Sequence, residues 1–211
     1  MPAAAASRRK PSGPLDERLV DVAEELLDRD GLEALSLRRI ARRAGVSHGA
    51  PLRHYSSLAA LLSQVAARGF RLLSETMDKS AAQLPSGAGP SARLAAAGCG
   101  YVELAVARPG LFALMFRPEA LDAANPELAR ASAEAFEQLV RLVRAAQDAG
   151  WRAEHDTRLL SGCVWAAVHG LALLWAQGAF AVAAADSGAT LDDALRTTMQ
   201  LVHGDPRGDL R

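Results

Sequence analysis

Cysteine is scarce. Cys99 and Cys163 are the only two in 211 residues, and they form no C-x-x-C pair. That excludes a disulfide framework and a cysteine-built zinc site, and it fits a reducing compartment. Lysine is scarcer still for its type: Lys10 and Lys79 stand among 24 basic residues, beside 45 alanines, a bias of codon usage rather than of chemistry. No net charge remains, so global basicity argues for nothing. The opening stretch MPAAAASRRKPSGP lacks an apolar core of signal-peptide length, so the expected location is the cytoplasm. Beta-branched alternation is nearly absent, and no NG or DG separates alternating apolar runs; hairpins and sheets are not expected. Enzyme signatures are missing too. His48, His54, His155, His169 and His203 make no HxH or HxxxH pair, and there is no GxSxG, GxGxxG or P-loop. No cofactor or metal is expected.

What is present is a half-hydrophobic chain with 23% charged residues, enough to fill a core. Its charge is distributed unevenly. Residues 1–33 hold five basic and eight acidic side chains, whereas from Ala34 to Ser74 there are seven arginines (38, 39, 42, 43, 53, 68 and 71) and no Asp or Glu. Such a block favours a surface that faces a polyanion; the competing account is a solvated face balanced by neighbours in space.

Helical spacing runs throughout. Leu19, Val22, Ala23, Leu26 and Leu27 recur on one face of a first helix with Asp16 and Glu17 in its first turn, and Gly31 ends it. Ser36 caps a second, short helix that turns Leu37, Ile40, Ala41 and Ala44 one way and its four arginines elsewhere. After Gly45, Ser47 is expected to cap a third short helix from His48 to Tyr55, with Pro51 tolerated in its first turn. A long fourth helix follows from Leu58. The stretch LPSGAGPS (84–91) reads as the linker between a small N-terminal module and a larger helical one. The spacing predicts helices near 92–108, from Pro109 to Phe116 and from Pro126 to Ala149. Beyond these, Asp156 opens a long apolar helix, and Thr190 with Asp193 opens the last. Residues 159–185 carry no charge, a length that raises a membrane span; three glycines, His169 and Gln177 within it favour a helix buried between neighbours or in a subunit interface.

Two short helices joined by Ala44-Gly45-Val46-Ser47 make a helix-turn-helix, whose second helix would enter the major groove. The run LSLRRIARRAGVSHGAPLRHYSSLAALL (35–62) resembles the DNA-binding domain of TetR-family transcriptional regulators, and YVELAVARPGLFALMF (101–116) with WAAVHGLALL (165–174) resembles the family's WHG-type C-terminal domain. The resemblance implies an all-α, homodimeric repressor-like protein. Such a protein is expected to consist of an N-terminal three-helix DNA-binding module (15–60) behind a flexible arm (1–14), and a larger helical bundle (61–211) for effector binding and dimerisation. It implies DNA-facing positions at Arg38, Arg39, Arg42, Arg43, Ser47, His48, Gly49, Ala50, Arg53, His54 and Tyr55. Two positions depart from the pattern. Leu52 stands where the family usually has tyrosine, and Leu58 where it usually has lysine; both usual residues commonly touch phosphate, which leucine cannot.

Alternatives stay open at single residues. Arg53 could pair with Glu24 or Asp28 instead of DNA, and His48 could be merely exposed. Tyr55 is expected in the small core with its hydroxyl outward. Arg8, Arg9 and Lys10 could reach the minor groove or belong to an inert tail. In the larger domain, Tyr101, Phe112, Met115, Phe116, Phe136, Trp165, His169 and Trp175 stand on alanine-lined helices, as a cavity-bearing bundle requires. Tyr101, Phe112, Met115, Phe116, Trp165 and His169 are the expected lining for a small apolar effector, although His169 also reads as a satisfied core histidine. The expected partners are a double-stranded operator, that effector, and a second copy paired through the last two helices, with Leu191, Leu195, Met199 and Val202 as the apolar stripe. A helical scaffold that binds no DNA is the alternative class.

Overall fold

Side-chain caps divide the chain into helices. In the computed structural model, which describes residues 14–183 and 187–203, nine α-helices and no strand are found among the described residues. Arg8, Arg9 and Lys10 of the arm lie outside them. The first helix, α1 (Leu15–Asp30), carries Asp16 and Glu17 where the helix dipole favours acids and buries Leu19, Val20, Val22, Ala23, Leu26 and Leu27. The Ser36 hydroxyl accepts from the Arg39 amide to start α2 (Leu37–Ala44). Its end is a Schellman turn: Gly45 takes φ 72°, and the Val46 amide returns to the Ala41 carbonyl at 3.0 Å. Ser57 caps α3 (Leu58–Ala82) through the Ala60 amide. Next come α4 (Pro90–Ala107) and α5 (Pro109–Met115), each with proline in its first turn. Asn125 caps α6 (Pro126–Asp148) and Asp156 caps α7 (Thr157–Ala176). The four-residue α8 (Phe180–Ala183) precedes α9 (Leu191–His203), which opens on a reciprocal Thr190–Asp193 box.

Three expectations change. Residues 48–55 do not form an α-helix: a turn leads into one 3₁₀ turn over Pro51–Arg53, held by bonds such as Arg53 N–H to Ala50 O at 3.2 Å. Pro51 lacks the amide that would reach back to Ser47, and the residue before a proline resists helical geometry. The loop after α3 is not a linker between modules. It is a hairpin between α3 and α4, which lie so close that a Cβ on Gly100 would stand 2.5 Å from the Thr76 carbonyl oxygen. The 60/61 boundary falls inside α3, whose Leu61, Leu62 and Val65 belong to the same core cluster as Leu19 of α1 and Tyr101 of α4. Finally, Leu195 and Met199 of α9 are buried within the chain's own core rather than turned outward.

By length and composition α7 could cross a membrane. One face is buried through Ser161, Val164, Val168 and Leu171; the opposite face leaves Leu159, Leu173 and Leu174 exposed.

Candidate functional site

Charge pairing sorts the arginine block. Arg39 reaches Asp30 at 2.6 Å and the Ala34 carbonyl at 3.1 Å. Arg43 pairs with Glu25, Arg68 with Asp21 at 2.5 Å, and Arg71 with Glu127 at 3.4 Å. All four acids lie outside the block, so balance by neighbours in space holds for these four arginines. Arg38, Arg42 and Arg53 are exposed and have no carboxylate partner among the described residues. The rival partners of Arg53 are engaged elsewhere: Arg108 holds Glu24 at 2.7 Å and Asp28 at 2.6 Å. Arg38 and Arg42 are four residues apart, on one face of α2.

Beside that face, the turn after α2 exposes Ser47, His48, Gly49, Arg53 and His54. Ala50 is buried, so its side chain offers nothing to an external partner. Tyr55 is half-buried and its hydroxyl donates to the Asp16 carbonyl at 3.2 Å, tying the turn to the start of α1. Leu52 is 57% exposed, whereas Leu58 packs against the core. Among the described residues, Arg38, Arg42 and Arg53 are thus the guanidiniums of the block left without a carboxylate.

A second site lies among α3, α4, α6, α7 and α9: a cavity of about 240 Å³. Phe70, Leu73 and Met77 of α3, Leu94, Ala97 and Gly98 of α4, and Phe136 and Leu139 of α6 border it, with Val164 and Val168 of α7 and Met199 of α9. Of the six residues expected there, Tyr101, Phe116 and Trp165 line the wall. Phe112 and Met115 do not: both are buried core, Met115 against Gly69. His169 stands behind the wall, and Trp175 packs on Phe180 instead. Phe136, named among the large residues on alanine-lined helices, also lines it, whereas the lining from α3 and Leu139 of α6 belongs to ordinary apolar helix faces, which carry no sequence signal beyond helical periodicity.

Among the described residues the wall contains no charged side chain. Its polar atoms are Ser132, whose hydroxyl donates to the Ala129 carbonyl, and the linked Tyr101 and Trp165. The Trp165 indole N–H donates to the Tyr101 oxygen at 3.0 Å, and that oxygen lies 2.7 Å from His169 Nδ1. Burial pushes the His169 imidazolium below the usual histidine range and the Tyr101 phenol well above its own. The imidazole is therefore held toward its neutral form, in which Nδ1 accepts the phenol hydrogen in one tautomer and donates to the phenol oxygen in the other. Aromatic rings of Phe112 and Phe116 pack edge-on around this chain of bonds.

A run of contacts leads from the cavity wall to α1. Arg108, at the corner between α4 and α5, binds Glu24 and Asp28 of α1. Gly110 sits so near the Leu27 carbonyl that a Cβ would meet it at 3.1 Å. The same α5 leads directly into Phe116 on the cavity wall.

Comparison with known proteins agrees with this arrangement. "Bacterial regulatory proteins, tetR family" matches residues 19–65, and "Tetracyclin repressor-like, C-terminal domain" matches residues 94–198. Curated protein sequences yield no match. A solved protein of unknown function from Rhodococcus sp. RHA1 is 32% identical, with 96% of this chain and 98% of that one covered and a TM-score of 0.78. The TetR-family regulator PfmR from Thermus thermophilus is 19% identical over 92% of this chain and 100% of its own, with a TM-score of 0.65. FadR from Bacillus subtilis, solved in complex with stearoyl-CoA, is 16% identical over 89% and 97%, with a TM-score of 0.62; at that distance the likeness is one of fold. With both family domains present in order on this fold, the chain belongs to the TetR family of transcriptional regulators.

Proposed function

We propose that this regulator is a cytoplasmic, non-enzymatic repressor that binds a palindromic operator as a homodimer and leaves it when a small molecule fills the C-terminal cavity. The observation that carries the reading is the trio Arg38, Arg42 and Arg53, unpaired and exposed around the turn that presents His48 and Gly49. Phosphates would take the places that carboxylates take for Arg39 and Arg43, while the turn faces base edges. Residues 15–60 would do the reading and 61–211 the sensing and dimerising, with α3 common to both. Two copies would place their turns about one DNA turn apart, roughly 34–36 Å. The FadR relative with stearoyl-CoA supports a ligand-binding role for the bundle. Release requires the ligand to prefer the DNA-incompetent arrangement, and the path from Phe116 through α5 and Arg108 to α1 supports such a preference.

Salt dependence of duplex binding tests this. Log affinity should fall linearly with log salt, and Arg38→Ala with Arg42→Ala should reduce the slope by about one unit per lost phosphate contact. Stability should stay within about 0.5 kcal/mol, since both side chains are exposed. A slope that ignores these substitutions removes the arginines from the interface. Absence of duplex binding would leave a helical scaffold as the reading.

A further inference from the structure

The cavity's chemistry specifies more than that something binds there. Taking the C-terminal bundle as the effector-binding region, as proposed above, we infer that its ligand is an uncharged, largely apolar molecule bearing one hydroxyl, seated against the Tyr101 phenol. Size, charge and hydrogen bonding each narrow the class. An apolar protein cavity of about 150 Å³ takes up benzene, so in proportion 240 Å³ holds about ten non-hydrogen atoms. Among the described residues no charged side chain borders the space, so an ionised group carried inside would have no counter-ion there to offset its desolvation. The cation beside it, Arg158, lies over the Phe136 ring at 5.4 Å but is held by Glu137 at 2.7 Å. A ligand carboxylate drawn to that guanidinium would also meet the Glu137 carboxylate.

Within the wall, the hydrogens of Ser132 and Trp165 are committed to the Ala129 carbonyl and the Tyr101 oxygen. The Tyr101 hydroxyl also bonds His169 Nδ1, as donor or acceptor according to the imidazole tautomer. A hydroxyl suits the site in either tautomer: it donates to the phenol oxygen when Nδ1 holds the phenol hydrogen, and accepts that hydrogen when Nδ1 itself donates. A compact alcohol therefore buries its hydrocarbon against α3, α4 and α6 and leaves no polar atom unpaired.

Isothermal titration of the full chain at pH 7.5 with 1-nonanol, which has ten non-hydrogen atoms, and with sodium nonanoate tests this. Nonanol is expected to bind at least about a hundredfold more tightly than nonanoate, reflecting the uncompensated carboxylate. Tyr101→Phe should weaken nonanol about fivefold, the worth of one hydrogen bond, and leave nonanoate unchanged. Ala135→Leu, which fills the cavity from α6, should abolish nonanol binding while the chain stays folded; it serves where Tyr101→Phe disturbs the His169 contact. Nonanoate within tenfold of nonanol, equal nonanol affinity in Tyr101→Phe, or no nonanol uptake by the native chain would each overturn the inference. Failure of the repressor reading has a different signature: nonanol binds as described, yet operator affinity does not respond to it.

Discussion

His169 is held among Phe112, Phe116, Trp165 and the Tyr101 hydroxyl. Burial disfavours its charged form, so its folded pKa lies below the ordinary value near 6.5. The linkage follows in sign. Below that value the unfolded chain takes up a proton that the folded chain resists, so the contribution is complete above the unfolded pKa and is lost as pH falls through the folded one. Protonation would also fix Nδ1 as a donor, so that its bond with the phenol could run only toward the phenol oxygen. Thermal denaturation between pH 8 and pH 5 should therefore show a steeper fall in Tm for the native chain than for His169→Gln. The difference isolates this residue from acids such as Asp30 and Glu127, whose lowered values both proteins share. Coincident slopes would mean that burial does not keep the ring neutral. Sequence spacing places His169 and Trp165 on one face, since i and i+4 always share one; that Tyr101 completes their hydrogen bonds depends on how α4 lies against α7, which no local pattern encodes. The same limit applies to the arginines: Arg39 and Arg43 find their carboxylates on α1, and only the folded chain distinguishes them from Arg38 and Arg42.

Helix ends were legible because capping is local. Ser36, Asp156 and the Thr190–Asp193 pair each cap the helix that their positions announce. The segment after Ser47 was not, since helix-turn-helix spacing points to a helix while Pro51 and the residue before it resist one. Helix pairs depend on shape, and the crossing of α3 and α4 hinges on Gly100. A methyl there would meet the Thr76 carbonyl at 2.5 Å and the Ser80 hydroxyl at 2.9 Å. Backbone cannot swing aside as a flexible side chain can, so Gly100→Ala must push the helices apart. The expected cost is about 2 kcal/mol, and the fall in Tm is about 6 °C. Gly69→Ala provides the contrast. Its closest neighbour is the end of Met115 at 2.7 Å, a side chain that can move, so the loss should be smaller. Equal Tm values for Gly100→Ala and the native chain would show that the α3–α4 crossing tolerates a methyl.

At the scale of the whole molecule, the faces left uncovered by one chain matter most. The sequence marks α7 and α9 as unusually apolar but cannot say which stripe faces inward, since one chain's core and a partner's surface use the same residues. Leu195 and Met199 are buried in the chain's own core, so a charge at Leu195 would unfold the bundle rather than separate a pair of copies. The outward stripe of α7 is different: Leu159 is 68% exposed, Cys163 and Ala166 are exposed, and Leu173 and Leu174 continue the line. These positions recur at helical spacing, and two such stripes related by a two-fold axis would cover each other. Ala166 is at the middle, where a residue lies nearest its own copy in an isologous interface. Ala166→Arg therefore places like charges across the axis without removing any core contact. The expected outcome is a protein of unchanged helical content that sediments as a monomer at micromolar concentration. On the palindromic operator proposed above it should bind far more weakly, because a monomer would engage one half-site where a dimer would engage two. Its affinity for a single half-site should equal that of the native chain, since α2 and the turn after it are untouched. A dimer that survives Ala166→Arg with its operator affinity intact would place the pairing surface elsewhere, with exposed Val182 and Leu201 as the next apolar ground to probe.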